Sequence, residues 1–250
     1  MKIQLIRNAT MRITYAGQTI LTDPCLAVKG ALPSYAGRSP NPTAALPCTL
    51  DEVLAQIDLV LVTHLHKDHF DPAAAEAIRS QMPILCRGQD AEKLKKDNFT
   101  RVQPVADHLA CNGIEFHCVP ARHGTSDAVL GDMGTTCGYV LRAPKEPTLY
   151  WAGDTVWYEG VAETITKWRP DVILTHSGGA VWNRGELIIM DANQTVKVCR
   201  RAPSSQVVAI HMEAFDHCTI TRSELRRAAR EAGISDDRLS IPVDGEEIVF

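Results

Sequence analysis

Asp58-Leu-Val-Leu-Val-Thr63-His64-Leu65-His66-Lys67-Asp68-His69-Phe70-Asp71 decides the reading of this chain. Its first half is a run of valine and leucine, the pattern of a strand buried on both faces. The run stops at Thr63 and hands over at once to three histidines and an aspartate. If a tight loop follows Thr63 and enters a helix near Asp71-Pro72, His64 and His66 can share one metal ion while Asp68 and His69 turn to a second. Imidazole nitrogen with carboxylate oxygen suits zinc, manganese or iron. A solvated polar loop is the bland alternative, and four potential ligands directly behind a buried strand argue against it.

Upstream, residues 2–7, 11–15 and 18–22 read as consecutive antiparallel strands, the last following Gly17. Asp23-Pro24 stops the third, and Asp23 is either a turn former or a support for the ligands. From Cys25 to Leu50, with Pro33, Pro40, Pro42, Pro47 and the run Gly37-Arg38-Ser39, no periodicity survives. A stretch of that length inside a compact chain is usually functional or disordered. Because it precedes the metal strand, it reads as a loop overhanging the site, with Tyr35 and Arg38 placed to touch substrate; a plain surface excursion is the alternative. Thr49-Leu-Asp-Glu52 opens a short capped helix.

Downstream, strands alternate with helices: a helix from Asp71-Pro72 to Ile78, a strand over 83–86, a helix over 89–96, and strands over 102–105, 109–110 and 113–119. A strand pair over 138–142 and 148–151 follows, then a helix from Val156 to Trp168 and a strand over 172–175. Helices from Asp191 to Arg201 and from Thr221 to Ala232 flank a strand over 206–210, and Leu239–Phe250 reads as a closing hairpin. Three more strand ends carry chemistry. His123 stands beside Gly124, Asp154 lies in Gly153-Asp-Thr155, and His211 follows the apolar run 207–210. Each has a bland reading too: a surface histidine, a helix N-cap and a buried satisfied histidine.

The string His64-x-His66-x-Asp68-His69, with these later residues in order, resembles the metallo-β-lactamase-fold hydrolase superfamily, with a weaker likeness to its L-ascorbate-6-phosphate lactonase-like branch. The resemblance covers nearly the whole chain. It implies an α/β fold, a four-layer αβ/βα sandwich of two mixed sheets flanked by helices, spanning 1–250 with two α/β halves near 1–140 and 141–250. It also implies that His64, His66 and His123 hold one metal, Asp68, His69 and His211 another, and Asp154 bridges them. A hydroxide shared by the two ions would be the nucleophile, with Asp68 a candidate for proton transfer. The two divalent ions are expected to be zinc first, then manganese, then iron. Asp23, His176 and Asp191 are expected to support the ligands, Asp191 first as a helix N-cap. Arg38, Trp182, Arg184 and Glu213 are candidates to contact substrate. Relatives often carry His where Asn8 stands, so that contact departs from the pattern.

Asp171-Val-Ile-Leu-Thr175-His176 repeats Asp58-Leu-Val-Leu-Val-Thr63-His64 in outline, as two related halves would. The net charge of -4 argues against a surface built for nucleic acid. No stretch approaches the roughly 18 apolar residues of a membrane span, and the N-terminus lacks a continuous apolar leader, so a soluble, cytoplasmic protein is expected. Eight scattered cysteines without a Cys-x-x-Cys pair read as reduced core thiols. The leading function is hydrolysis of a small ester, lactone or phosphodiester substrate, and the two arginines suit an anionic one. A nuclease or phosphodiesterase, a non-hydrolytic iron redox enzyme and a non-catalytic metal-binding module compete with it. A homo-oligomer is left open.

Overall fold

Strands that are apolar on both faces need a layer on each side, and this chain provides them. The computed structural model describes residues 1–182 and 185–250. The first sheet uses β1 (Lys2–Arg7), β2 (Thr10–Tyr15), β3 (Gln18–Thr22), β4 (Leu59–Val62), β5 (Ile84–Arg87) and β6 (Val102–Val105). Helices α1 (Leu50–Leu54), α2 (Pro72–Ala77) and α3 (Ala91–Lys96) connect its parallel strands. The second uses β7 (His108–Cys111), β8 (Ile114–Pro120), β9 (Cys137–Arg142), β10 (Leu149–Trp151), β11 (Val172–His176), β14 (Gln206–Ile210) and β15 (Leu239–Ser240). Between these lie α4 (Asp127–Met133), α5 (Glu159–Trp168), the small hairpin β12 (Val181–Trp182) and β13 (Glu186–Leu187), α6 (Ala192–Arg201) and α7 (Arg222–Glu231). The last strand, β16 (Glu247–Val249), returns to the first sheet beside β1.

The sheet orders are β16-β1-β2-β3-β4-β5-β6 and β15-β14-β11-β10-β9-β8-β7. In each, an antiparallel meander gives way to a parallel set, starting at β3–β4 in one and β10–β11 in the other. Alternation sorts side chains between layers: Leu59 and Leu61 of β4 face the core shared with Val172, Leu174, Val208 and Ile210. Val60 and Val62 face Val53, Ala74 and Leu94 of the first helical layer. Ile173, Val207 and Ala209 pack on Val161, Ile165, Val198 and Leu225 of the second. The result is the helix–sheet–sheet–helix sandwich of the metallo-β-lactamase fold.

Several elements differ from the sequence reading. The chain passes between sheets after Val105, not near residue 140. Residues 239–250 form no hairpin, because β15 pairs with β14 and β16 with β1, on different sheets. Helix α5 begins at Glu159 with Tyr158 as its cap residue, so Asp154 is not an N-cap. Helix α4, capped by Ser126, was not anticipated: it is seven residues long, contains Gly131 and buries only Val129. All eight cysteines are unpaired. Among the described residues no helix is long and apolar enough to cross a membrane.

Candidate metal centre

At the end of β3, Asp23 takes a left-handed backbone (φ 34°) and turns its carboxylate under the end of β4. Asp23 Oδ1 accepts the Thr63 N–H at 2.7 Å; Oδ2 accepts the Thr63 hydroxyl at 2.6 Å and faces His69 Nδ1 at 2.7 Å. Since the Thr63 proton goes to the carboxylate, the 3.0 Å contact from Thr63 Oγ1 to His64 Nδ1 has the imidazole N–H as donor. His123 Nδ1 donates in the same way to the Ile188 carbonyl at 2.7 Å. The protein therefore occupies Nδ1 of His64, His69 and His123 and leaves Nε2 of each for the centre, the arrangement that fixes a ligand tautomer.

Two groups of ligand atoms result, His64, His66 and His123 in one and His69, Asp154, His176 and His211 in the other, each with its atoms within 4.8 Å of one another. Asp154 Oδ2 lies between them, 3.2 Å from His69 Nε2, 3.3 Å from His123 Nε2 and 3.8 Å from His64 Nε2. Asp68 Oδ2 is 3.4 Å from His211 Nε2 and 3.7 Å from His69 Nε2. All seven residues expected as ligands thus converge, buried except for half-buried His66. His64 Nε2 faces His66 Nδ1 at 3.0 Å, and His69 Nε2 faces His211 Nε2 at 3.2 Å. Each of these contacts requires a proton or a cation between the two nitrogens. Burial alone would push His69 down, but Asp154, Asp68 and Asp23 carry it well above the ordinary imidazole range. Against the burial penalty, His69 foremost holds Asp154 and Asp68 well below the usual carboxylate range. The donor set fits divalent cations with an affinity for nitrogen and oxygen, zinc and manganese among them.

The backbone is bent to deliver these groups. Gly153 (φ 66°) precedes Asp154, and a Cβ there would lie 2.4 Å from the Cys137 carbonyl oxygen. At Gly178 a Cβ would meet the His211 carbonyl oxygen at 2.2 Å. His211 itself is left-handed (φ 59°), a costly backbone for a non-glycine residue and one found at functional sites. Asn8 holds two ligand loops together: its Nδ2 donates to the Asp68 carbonyl at 3.0 Å and its carbonyl accepts the His211 N–H at 2.9 Å. His176, with no exposed surface, donates from Nδ1 to Asp154 Oδ1 at 2.5 Å and accepts the Trp151 indole N–H on Nε2 at 2.9 Å.

Above the centre opens a cavity of about 380 Å³ with Tyr35, Leu65, Met133, Trp182 and Ile188 on its walls and His66, Asp68, His123 and Asp154 at its base. Of the expected substrate contacts, Trp182 lines it, its Nε1–H donating to Asp132 Oδ2 at 3.2 Å. Arg38 is exposed and lies outside the lining, held by its backbone N–H on Asp216 at 3.1 Å. Glu213 points to the surface and pairs with Arg222, and Asp191 caps α6 by accepting the Gln194 N–H at 2.8 Å. Arg184 lies outside the described residues.

Residues that the sequence reading passed over or left undecided shape this mouth. The Asp216 carboxylate accepts the backbone N–H groups of Tyr35, Ala36, Arg38 and Ser39, the Ser34 hydroxyl and the Asn41 amide. Against a burial penalty, these donors hold Asp216 far below the usual carboxylate range. The long loop is wound on that carboxylate, and Tyr35 is set against Phe215 and His217, ring centroids 5.6 and 5.2 Å away. His217 lines the cavity, its Nδ1 buried without a partner, and burial pushes it down to about 4. A third group, His108, Glu115 and His117, sits on the β7–β8 surface apart from the cavity, its two rings stacked at 4.5 Å.

Residues 18–212 match a family model described as a Beta-lactamase superfamily domain. A Bacillus subtilis protein designated UPF0173 protein YddR is 34% identical over 255 residues, covering 100% of both chains. Among solved structures, an isothiocyanate hydrolase from Delia radicum gut bacteria is 36% identical with a TM-score of 0.93, covering 100% of this chain and 99% of that one. A protein described as a possible metal-dependent hydrolase from Veillonella parvula is 30% identical with a TM-score of 0.96, again covering 100% and 99%.

Proposed function

The chain belongs to the β-lactamase superfamily and is a metal-dependent hydrolase, and from that premise we propose that it works with two divalent ions on a small, uncharged electrophile, an isothiocyanate before an ester or lactone. The observation that carries this reading is the convergence of His64, His66, Asp68, His69, His123, Asp154 and His211 on one centre beneath a largely apolar cavity. His64, His66 and His123 would hold one ion, Asp68, His69 and His211 the other, with Asp154 Oδ2 facing both sets. When bound, the ions supply Lewis acidity, activating water and polarising the substrate.

The chain's own groups do the rest. Tyr35, Leu65, Met133, Trp182 and Ile188 hold the organic part of the substrate and exclude bulk water. Asp68, at the cavity base, is the carboxylate placed to assist proton transfer from the attacking water, a weak base while it also holds an ion. Among the described lining residues Lys67 is the only cation, which favours an uncharged substrate over a phosphodiester. The likeness to an isothiocyanate hydrolase supports the same choice, since an R–N=C=S carbon is a compact apolar electrophile. Water would add to that carbon and the C–N bond would break, giving R–NH2 and carbonyl sulfide in balance.

The test is turnover of benzyl isothiocyanate, a γ-lactone and bis-p-nitrophenyl phosphate by zinc-loaded protein, with Asp154→Ala as control. Amine release that Asp154→Ala abolishes is expected. Hydrolysis of the phosphodiester alone would overturn the substrate class, and no turnover of any of the three would overturn the assignment to small electrophiles.

A further inference from the structure

Among the described residues Asp154 is the one carboxylate that faces both groups of ligands, so what fixes its orientation matters to both. A carboxylate at the end of a glycine turn is free to rotate unless one oxygen is held. Here Oδ1 is held. The Trp151 indole is a donor only, so the 2.9 Å contact requires His176 Nε2 to carry the lone pair. A neutral His176 must then carry its proton on Nδ1, and that proton is directed to Asp154 Oδ1 at 2.5 Å. Both ring nitrogens are committed, and all three side chains are buried.

We propose, building on the two-ion reading, that Trp151 and His176 form a positioning relay that holds Asp154 by Oδ1 and presents Oδ2 alone to the metal ions. The same hydrogen bonds exclude His176 as a ligand, although one of its ring nitrogens lies within 4.8 Å of ligand atoms of His69, Asp154 and His211. Binding an ion through Nδ1 would require a proton on Nε2, facing the Trp151 N–H donor to donor, or an imidazolate. The relay reverses the usual support, in which a carboxylate orients a ligating histidine. Here a histidine orients the carboxylate, and a tryptophan fixes the histidine.

The test is zinc titration of the full-length protein against a chromophoric chelator, with ¹⁵N spectra of the histidine rings in the loaded state. Wild type is expected to bind two ions and to show His176 as the Nδ1–H tautomer without a metal-induced shift. His176→Ala should weaken both ions by about 10- to 100-fold, the range for lost support of a ligand. His176→Asn should recover most of that loss, because its amide N–H stands where Nδ1–H stood. Trp151→Phe, which keeps an aromatic core residue, should give a smaller loss and let His176 sample the other tautomer. Two ions held with wild-type affinity in His176→Ala, or a metal-shifted His176 Nδ1, would overturn the relay. No ion bound by wild type would instead overturn the two-ion reading beneath it.

Discussion

The ends of β3 and β4 in one sheet and of β10 and β11 in the other are built on the same plan and do different work. Register pairs Thr22 with Leu61 and Trp151 with Leu174, so Thr22 corresponds to Trp151 and Leu61 to Leu174. Counting on, Thr63 corresponds to His176 and not to Thr175. The Thr-His echo in the sequence is out of step by one residue, because the first strand has four apolar residues after its aspartate and the second has three. In place, Thr63 donates to Asp23 at 2.6 Å as His176 donates to Asp154 at 2.5 Å. Asp23 directly follows β3, whereas Ala152 and Gly153 carry Asp154 two residues further out. The longer excursion takes the carboxylate from beneath the centre into it, and a longer donor, imidazole in place of hydroxyl, is needed to follow it.

The sharpest way to break this comparison is to remove each carboxylate. Asp154→Ala should reduce turnover to that of metal-stripped protein. Asp23→Ala should leave both ligand groups in place and weaken zinc by about 10- to 100-fold. It should also lower stability by about 1–3 kcal/mol for each buried donor it orphans, Thr63 N–H, Thr63 hydroxyl and His69 Nδ1 among them. Equal loss of turnover and of metal in the two variants, measured by assay and zinc titration, would mean that Asp23 is no mere support.

Metal removal gives the next largest effect. Ions that bind only the folded chain stabilise it by about 2.7 kcal/mol at a free concentration 100 times Kd. Chelation should therefore lower the Tm of wild type clearly and that of Asp154→Ala little, whereas Asp23→Ala should keep most of the response. An unchanged wild-type Tm under chelation would remove the functional side of the contrast.

Threonine variants sharpen it further. Thr63→Val removes a hydrogen bond to a buried carboxylate and should cost about 1.5–3 kcal/mol in denaturant unfolding. Thr175→Val removes a neutral bond to the Ser177 hydroxyl, 2.9 Å away, and should cost about 0.5–1.5 kcal/mol. Equal costs would mean that the Thr-His echo marks true equivalence.

What was legible in the sequence follows the same division. The candidate ligands at two strand ends were legible locally, His64 separated only by Thr63 from the apolar run ending at Val62 and His211 directly behind Ile210, whereas His123 and Asp154 were assigned through the resemblance. The sandwich was implied by the family resemblance that the ligand string carries, and strands apolar on both faces, covered on both, agree with it. Contacts made across the chain were not. Nothing local links Asp216 to the loop at Tyr35, 181 residues away, or Trp151 to His176. Arg38 looked like an anion-binding residue because sequence gives a side chain's charge and not its direction. Helix α4, which supplies Met133 to the cavity wall, has too few buried positions to show a period. The parting of β15 from β16 turns on a pairing choice between sheets that two or three residues cannot signal.

The smallest predicted effect is also the strictest test of common plan. Before each strand an aspartate clamps the one preceding it: Asp58 Oδ2 accepts the Thr19 N–H at 2.7 Å, and Asp171 Oδ2 accepts the Thr148 N–H at 2.7 Å. The return bonds match as well, the N–H of Asp58 and of Asp171 each donating at 2.9 Å to the carbonyl of the same threonine. These ends lie opposite the centre along their strands, so chemistry has no cause to make them differ. Asp58→Ala and Asp171→Ala should each cost about 1 kcal/mol, equal within about 0.5, and should add in the double variant because they sit in different sheets. Neither should change zinc affinity. If one costs several times more than the other, the two sheets share a topology but not a mode of stabilisation. Matched costs, with metal affinity untouched, would place the whole divergence of the halves at the ends where the carboxylates stand.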